Sequence, residues 1–211
     1  MADSNALHNA ILNGDLKGAV AATKEALAAG ADPLDLVTGR MVPAMDEVGR
    51  RFECEEYFVP ELLLSARAMK GSLELIRPLL VASGAEPAGR VVIGTVKGDL
   101  HDIGKNLVAS MLEGGGFEVV DLGTDVPPEK FTGAVVERGA DILCLSALLT
   151  VTMPSMKQTI ETLARVGVRD RVKVLVGGAP VTQQYADEIG ADGYGPNATV
   201  AVQLARRLVG K

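Results

Sequence analysis

The chain has no tryptophan, and aromatic residues make up only 3% of it. Stacking platforms for single-stranded nucleic acid need more than that. Lys and Arg number 21 against 27 Asp and Glu, with no basic cluster. The resulting net charge of −6 argues against nonspecific binding to nucleic acid. No apolar run reaches the length of a membrane span. The opening stretch MADSNALHNAILNGD has no basic segment and no cleavage pattern, so no secretory leader is expected. Cysteine is scarce too: Cys54 and Cys144 lie far apart, and Cys144 sits inside the apolar run DILCLSALL. A buried free thiol at Cys144 and a reducing cytoplasm are the simplest reading. Histidine occurs twice, as His8 and His101.

What is present is an ordinary globular balance, 47% hydrophobic and 23% charged, over 211 residues. That is enough for one large domain or two small ones. Residues 1–83 read as helical. Leu34, Val37, Met41, Met45, Val48 and Phe52 recur at spacings of three and four, as do Leu62, Leu63, Ala66, Met69, Leu73, Ile76 and Leu80. Asp32 followed by Pro33 is a helix start, and Pro43 should kink or split the helix it falls in. Four helices are expected: SNALHNAILN, LKGAVAATKEALA, the segment after Asp32 and the one from Val59, a small bundle. ASGAEPAG suggests a linker over residues 84–89.

From Arg90 the period changes. RVVIGTV, FEVVDLG, DILCLSAL and VKVLVGG are short Val/Ile/Leu-rich runs, with a weaker fifth strand at ADGYG. Helical stretches separate them: GKNLVASMLEGG, PPEKFTGAVVERG and PSMKQTIETLARVG, with NATVAVQLARRLVG last. This alternation over 90–211 predicts an α/β domain, a flavodoxin-like doubly wound sheet of five parallel strands. In such sheets ligands sit beyond the carboxyl ends of the strands, where strand order reverses. For the order 2-1-3-4-5, three unusual loops then share one edge: KGDLHDIG, SALLTVTMP and GGAPVT. A ligand is expected near His101, Ser146 and Gly177.

Three familiar ligand classes fit poorly. The dinucleotide fingerprint fails, because Gly94 and Gly98 are followed only by Gly104. A phosphate-accepting receiver would carry Asp where strand three ends in Ser146. Zinc needs three or four ligands, and His8, Cys54 and Cys144 are poorly placed to join His101. A fourth class needs one histidine only: an axial ligand to a metal already held in a macrocycle.

On this point the sequence resembles a known family. Asp99-Leu100-His101-Asp102-Ile103-Gly104 (D-x-H-x-x-G), then Ser146-Ala147-Leu148 (S-x-L), then Gly177-Gly178, are similar to the signature of cobalamin-binding domains. The stretch from MVPAMDEVG through FVPELL to LELI resembles the helical cap that precedes that domain in methionine synthase and in corrinoid proteins. The likeness spans nearly the whole chain. It is strongest to stand-alone corrinoid proteins serving methanol, methylamine or methoxy-compound methyltransferases.

The resemblance implies that His101 replaces the cofactor's own base on cobalt, with Asp102, Ile103 and Gly104 beside it. The displaced nucleotide tail would pass Gly104, Gly177, Gly178 and Ala179, none of which carries bulk. Ser146 and Thr150 would offer hydroxyls and Leu148 an apolar contact, with Tyr194 and Gly195 at the far end. Asp99 would orient the histidine. A hydroxyl at Thr152, where methionine synthase modules carry Ser, would extend the relay. Thr152 could instead cap the helix beginning near Pro154. Phe52 and Val59, with Phe58 adjacent, match cap positions that cover the upper face.

The implied function is a methyl carrier, a cofactor-bearing subunit rather than a complete enzyme. The implied partners are a substrate-specific methyltransferase, a second one using tetrahydrofolate or a thiol, and a reductive activase. Two readings of other classes stay open. A cobalamin-dependent regulatory or sensor module would add a basic DNA-binding helix-turn-helix. A mutase subunit would share D-x-H-x-x-G and lack the FVPELL cap.

Overall fold

Aspartates cap two helices of the N-terminal half. Asp15 accepts a hydrogen bond from the Gly18 amide at 3.0 Å and opens the second helix. Asp32 accepts from the amides of Leu34 and Asp35 at 2.8 and 3.0 Å, with Pro33 in the first turn of the third. The computed structural model describes residues 5–84 and 86–210. The expected linker therefore includes Ala85, and the expected first helix Ser4, which lie outside the described residues.

The helices are α1 (Ala6–Leu12), α2 (Leu16–Ala28), α3 (Pro33–Leu36), α4 (Val42–Glu53) and α5 (Val59–Ser83). The segment after Asp32 is split as Pro43 requires. One π-helical turn, Val37–Met41, separates α3 from α4, and Pro43 stands in the first turn of α4, where its missing N–H is not needed. Leu7, Ile11, Met41, Met45, Val48, Leu62, Met69 and Ile76 form the buried interior of this unit. Four residues of the periodic sets are not in it: Leu34 and Leu63 are exposed, and Phe52 and Leu80 are half-buried. Leu63 follows the fully buried Leu62, and a step of about 100° along the helix carries it to the exposed side.

The second half is a sheet of β1 (Arg90–Thr95), β2 (Glu118–Asp121), β3 (Ile142–Ser146), β4 (Lys173–Gly177) and β5 (Gly193–Tyr194). All pairs are parallel and the order is β2-β1-β3-β4-β5. Helices α6 (Ile103–Gly114), α7 (Pro128–Arg138), α8 (Pro154–Arg165), α9 (Gln183–Ile189) and α10 (Ala198–Leu208) alternate with them. Contacts divide the chain into residues 1–87 with 110–116, and residues 88–109 with 117–211.

The sheet unit's core gathers Val92, Leu143, Leu145, Val174 and Val176 with Phe131, Val135, Met156, Ile160 and Leu163. Gly94, part of the failed dinucleotide pattern, answers to this core: a Cβ there would sit 2.7 Å from the Phe131 ring. Helix α9 is an element the sequence reading did not contain. Thr182 caps it by accepting from the Tyr185 amide at 3.2 Å, and left-handed Gly190 ends it. Its seven residues bury only Ala186 and Ile189, too short a pattern to show a period.

Cys144 is buried in β3 and Cys54 is exposed at the end of α4. Burial pushes the Cys144 thiol up to about 12. A chromogenic thiol titration near neutral pH should therefore count one reactive thiol per folded chain and two in denaturant. Two fast thiols in the native state would contradict the burial.

Candidate functional site

The strand register puts Thr95, Ser146 and Gly177 in one row at the carboxyl ends of β1, β3 and β4. Beyond Thr95 the chain turns sharply, with Gly98 at a left-handed φ of 84° and the Asp99 amide closing back on the Val96 carbonyl at 3.1 Å. This turn drives the Asp99 side chain inward, where it has no exposed surface.

Five donors converge on the Asp99 carboxylate. Oδ1 accepts from the His101 amide at 3.1 Å and lies 2.8 Å from His101 Nδ1. Oδ2 accepts from the amides of Leu148 and Leu149 at 2.7 and 3.3 Å and from the Thr152 hydroxyl at 2.7 Å. Burial works to raise this carboxyl's pKa. Hydrogen bonds from Thr152, His101 and the Leu148 amide outweigh it and hold Asp99 well below the usual carboxylate range. An ionised carboxylate can only accept, so the neutral ring carries its proton on Nδ1 and turns an unprotonated Nε2 away. Nε2 has no hydrogen bond among the described residues, and the side chain is 51% exposed. Thr95, buried, fixes the backbone by donating to the His101 carbonyl at 2.9 Å.

Thr152 does not cap α8. The cap position there is Met153, and no side chain serves it. The Thr152 hydroxyl has two acceptors in reach, Asp99 and the Leu149 carbonyl at 2.8 Å, for its one proton. The structure thus brings together Asp99, His101, Thr152 and the backbone of Leu148.

The remaining residues fall into three groups. Asp102, Ile103 and Gly104 open α6 and are exposed, as are Thr150 on the β3 loop and Ala179 on the β4 loop. Ser146, Gly177, Gly178, Tyr194 and Gly195 are half-buried at the ends of β3, β4 and β5. Phe52 and Val59 belong to the helical unit, flanking the turn from Cys54 to Phe58. There Arg51 donates to the Tyr57 hydroxyl at 2.9 Å, and Glu61 accepts from the Phe58 amide at 2.9 Å.

The glycines divide. A Cβ on Gly178 would stand 1.9 Å from the Ala147 carbonyl oxygen, with φ at 129°, and one on Gly177 would stand 3.0 Å from the Gly195 oxygen. These two are required by the loops themselves. Gly104 is different: a Cβ there meets nothing within 4 Å, so the protein's own packing gives no reason for a glycine.

These features fit a corrin ring held by one imidazole. Leu100, Ile103 and Val151 are 72%, 79% and 80% exposed beside His101 in sequence or on the β3 loop, with Leu148 and Leu149 about half as much. Such side chains suit the apolar face of a macrocycle. The open space at Gly104 suits a nucleotide tail. Among the described residues no cluster of three or more His, Cys, Asp or Glu could hold a bare metal ion.

Three positioning features lay outside the sequence motifs. Lys105 is buried, and its ammonium reaches Asp121 at the end of β2 and Asn106 Oδ1 at 2.6 Å. Tyr185 on α9 donates to the Met153 carbonyl at 2.7 Å and ties down the β3 loop. Asp125 braces the turn before His101. Lys105 stands in the first turn of α6, and no sequence pattern marked any of the three.

The sequence matches a family described as B12 binding domain over residues 89–203, and a second family of the same description over residues 4–77. It is 46% identical to trimethylamine corrinoid protein 1 of Methanosarcina acetivorans, over 95% of this chain and 94% of that one. A cobalamin-binding protein of Desulfitobacterium hafniense superposes with a TM-score of 0.81 at 32% identity, covering 99% of each chain. A chain of the methanol:cobalamin methyltransferase complex of Methanosarcina barkeri superposes at 0.87 with 32% identity, covering 97% of this chain and 78% of that one.

Proposed function

This chain belongs to the B12-binding domain family, whose cofactor is a corrinoid, and from that premise we propose that it is a methyl carrier between two methyltransferases. The corrinoid would supply a cobalt centre able to accept and release a methyl group. The observation that carries the reading is the His101 ring, fixed at Nδ1 by a buried carboxylate and free at Nε2.

In this reading His101 Nε2 would be the protein's ligand to cobalt. Asp99 holds the tautomer and the ring plane, and Thr152 ends the relay by donating to Asp99. His101, Asp99 and Thr152 would together hold the proton whose presence governs whether Nε2 is available to a metal. Leu100, Ile103, Leu148 and Val151, exposed in this structure, would exclude water from the ring's lower side. Gly104 leaves room for the tail, with Ser146 and Thr150 offering hydroxyls, and Ala179, Tyr194 and Gly195 flanking its course.

The trimethylamine relative and the methanol:cobalamin complex support a substrate-specific methyltransferase as one partner. A second methyltransferase, acting on tetrahydrofolate or a thiol, would unload the carrier, and an ATP-dependent reductive activase would recover oxidised cobalt. The match at residues 4–77 favours a capped carrier over a mutase subunit. No helix among the described residues is long and apolar enough to cross a membrane; a cytoplasmic carrier is the proposed setting.

The test is anaerobic reconstitution with cobalamin, followed by desalting. The expected product is coloured and accepts methyl groups from one donor among methanol, methylamines and methoxyarenes when a cognate methyltransferase is supplied. His101→Gly should change the cobalt absorbance and slow methyl acceptance. Colourless protein, or a His101→Gly spectrum matching wild type, rules the reading out.

A further inference from the structure

The turn that carries Asp99 and His101 is held from two sides. On the β3 side the Val96 amide donates to the Ser146 carbonyl at 3.0 Å, and Leu148, Leu149 and Thr152 donate to the Asp99 carboxylate. On the β2 side, backbone pairing continues past the strand ends. The Thr95 amide donates to the Gly123 carbonyl at 2.9 Å, the Val126 amide donates to the Thr95 carbonyl at 3.0 Å, and Val96 bridges Val126.

That second side closes on Asp125. Its amide donates to the Asp99 carbonyl at 2.9 Å, and its carboxylate Oδ1 accepts from the Gly98 amide at 2.7 Å. Main chain and side chain of one residue thus grip two consecutive residues of the turn. The grip requires an uncommon backbone: Asp125 has φ 54°, and Glu55 is the one other non-glycine at positive φ among the described residues. A left-handed residue with a side chain is strained, and Asp and Asn tolerate the region best.

We propose that Asp125 is a positioning residue for the cobalt ligand. It fixes Gly98 and Asp99 so that the Asp99 carboxylate meets both the β3-loop donors and the His101 ring. The proposal rests on His101 being the axial ligand. Asp125 makes no hydrogen bond to His101 and acts through the turn between them. The residue lies in DLGTDV, outside D-x-H-x-x-G and outside the three loops that the strand order brings together.

Three substitutions separate its parts. Asp125→Asn keeps an acceptor oxygen and tolerance of left-handed backbone. Asp125→Gly keeps the backbone and loses the acceptor. Asp125→Ala loses both. Each full-length variant is studied cofactor-free, by the His101 Nδ1–H proton resonance, and loaded with cobalamin. Loaded protein is read by equilibrium cobalamin affinity and by electron-spin resonance of its Co(II) form with ¹⁵N-labelled histidine.

Asp125→Ala should weaken cobalamin binding by about 10-fold, as expected for an outer partner of a metal ligand. It should also reduce the fraction of centres with histidine nitrogen splitting, and broaden the Nδ1–H resonance in cofactor-free protein. Asp125→Gly should show the same losses in smaller degree, and Asp125→Asn should restore wild-type behaviour. If Asp125→Ala does not fold, the Gly and Asn variants carry the comparison. A Gly variant matching wild type in affinity, splitting and resonance overturns the proposal, as does an Asn variant no better than Gly. Wild type without histidine splitting overturns the axial-ligand reading itself, and the proposal with it.

Discussion

Gly178→Ala should lower the stability of the sheet unit by about 4 kcal/mol, an unusually large effect for one methyl group. The added carbon would lie 1.9 Å from the Ala147 carbonyl oxygen, a backbone atom that cannot swing aside. The φ of 129° is one that side chains disfavour even without the clash. A melting temperature lower by roughly 10–15 °C in cofactor-free protein is the expected reading. Gly104 makes the opposite prediction. With nothing within 4 Å of its Cβ direction, Gly104→Leu should leave cofactor-free melting nearly unchanged, since the helix gains propensity. Cobalamin affinity should nevertheless fall by at least about 10-fold, because the side chain occupies space proposed for the tail. If Gly178→Ala melts like wild type, the close loop approach is wrong. If Gly104→Leu binds like wild type, the tail runs elsewhere.

The second large effect is expected at Asp99. Asp99→Ala strands donors from Leu148, Leu149, Thr152 and His101 in a site with no exposed surface on the aspartate. Removing one partner of a buried charged network costs about 3–5 kcal/mol. Asp99→Asn keeps the shape but sets an amide N–H₂ against donors on one side, and should fall between alanine and wild type. The pH dependence has a definite sign. The folded Asp99 titrates below its unfolded value, so its stabilisation is complete above the unfolded carboxyl's range and is lost as pH falls through the folded value. The stability gap between wild type and Asp99→Asn should narrow as pH falls below about 4, near the unfolded aspartate pKa. Chemical denaturation of both proteins across that range measures it. A gap that widens toward acid would contradict the hydrogen-bond account.

Much of this architecture is legible in the amino-acid sequence. Short Val/Ile/Leu-rich runs separated by helical stretches announce a parallel sheet, and its order is that of a common doubly wound arrangement. The Asp99–His101 pair was readable through the D-x-H-x-x-G resemblance, with a carboxylate two residues from the ring it would orient. What escaped had physical reasons. Helix α9 buries two side chains, less than one period of pattern. Tyr185 acts over 32 positions of sequence and Asp125 over 27, through contacts that only the fold creates. Thr152 carried two local meanings, and only its distance to Asp99 separates them. The double glycine was assigned to a ligand on sequence grounds, whereas for Gly178 the Ala147 carbonyl alone is sufficient cause.

The two outermost strands bear on colloidal behaviour. β2 has four residues and β5 only two, so each border of the sheet offers a short row of unpaired peptide groups. A template that brief gives another chain little to zip onto, and end-to-end growth of sheets between molecules is discouraged. Crowded solutions of this protein should stay free of fibres for that reason, which thioflavin fluorescence over time would check.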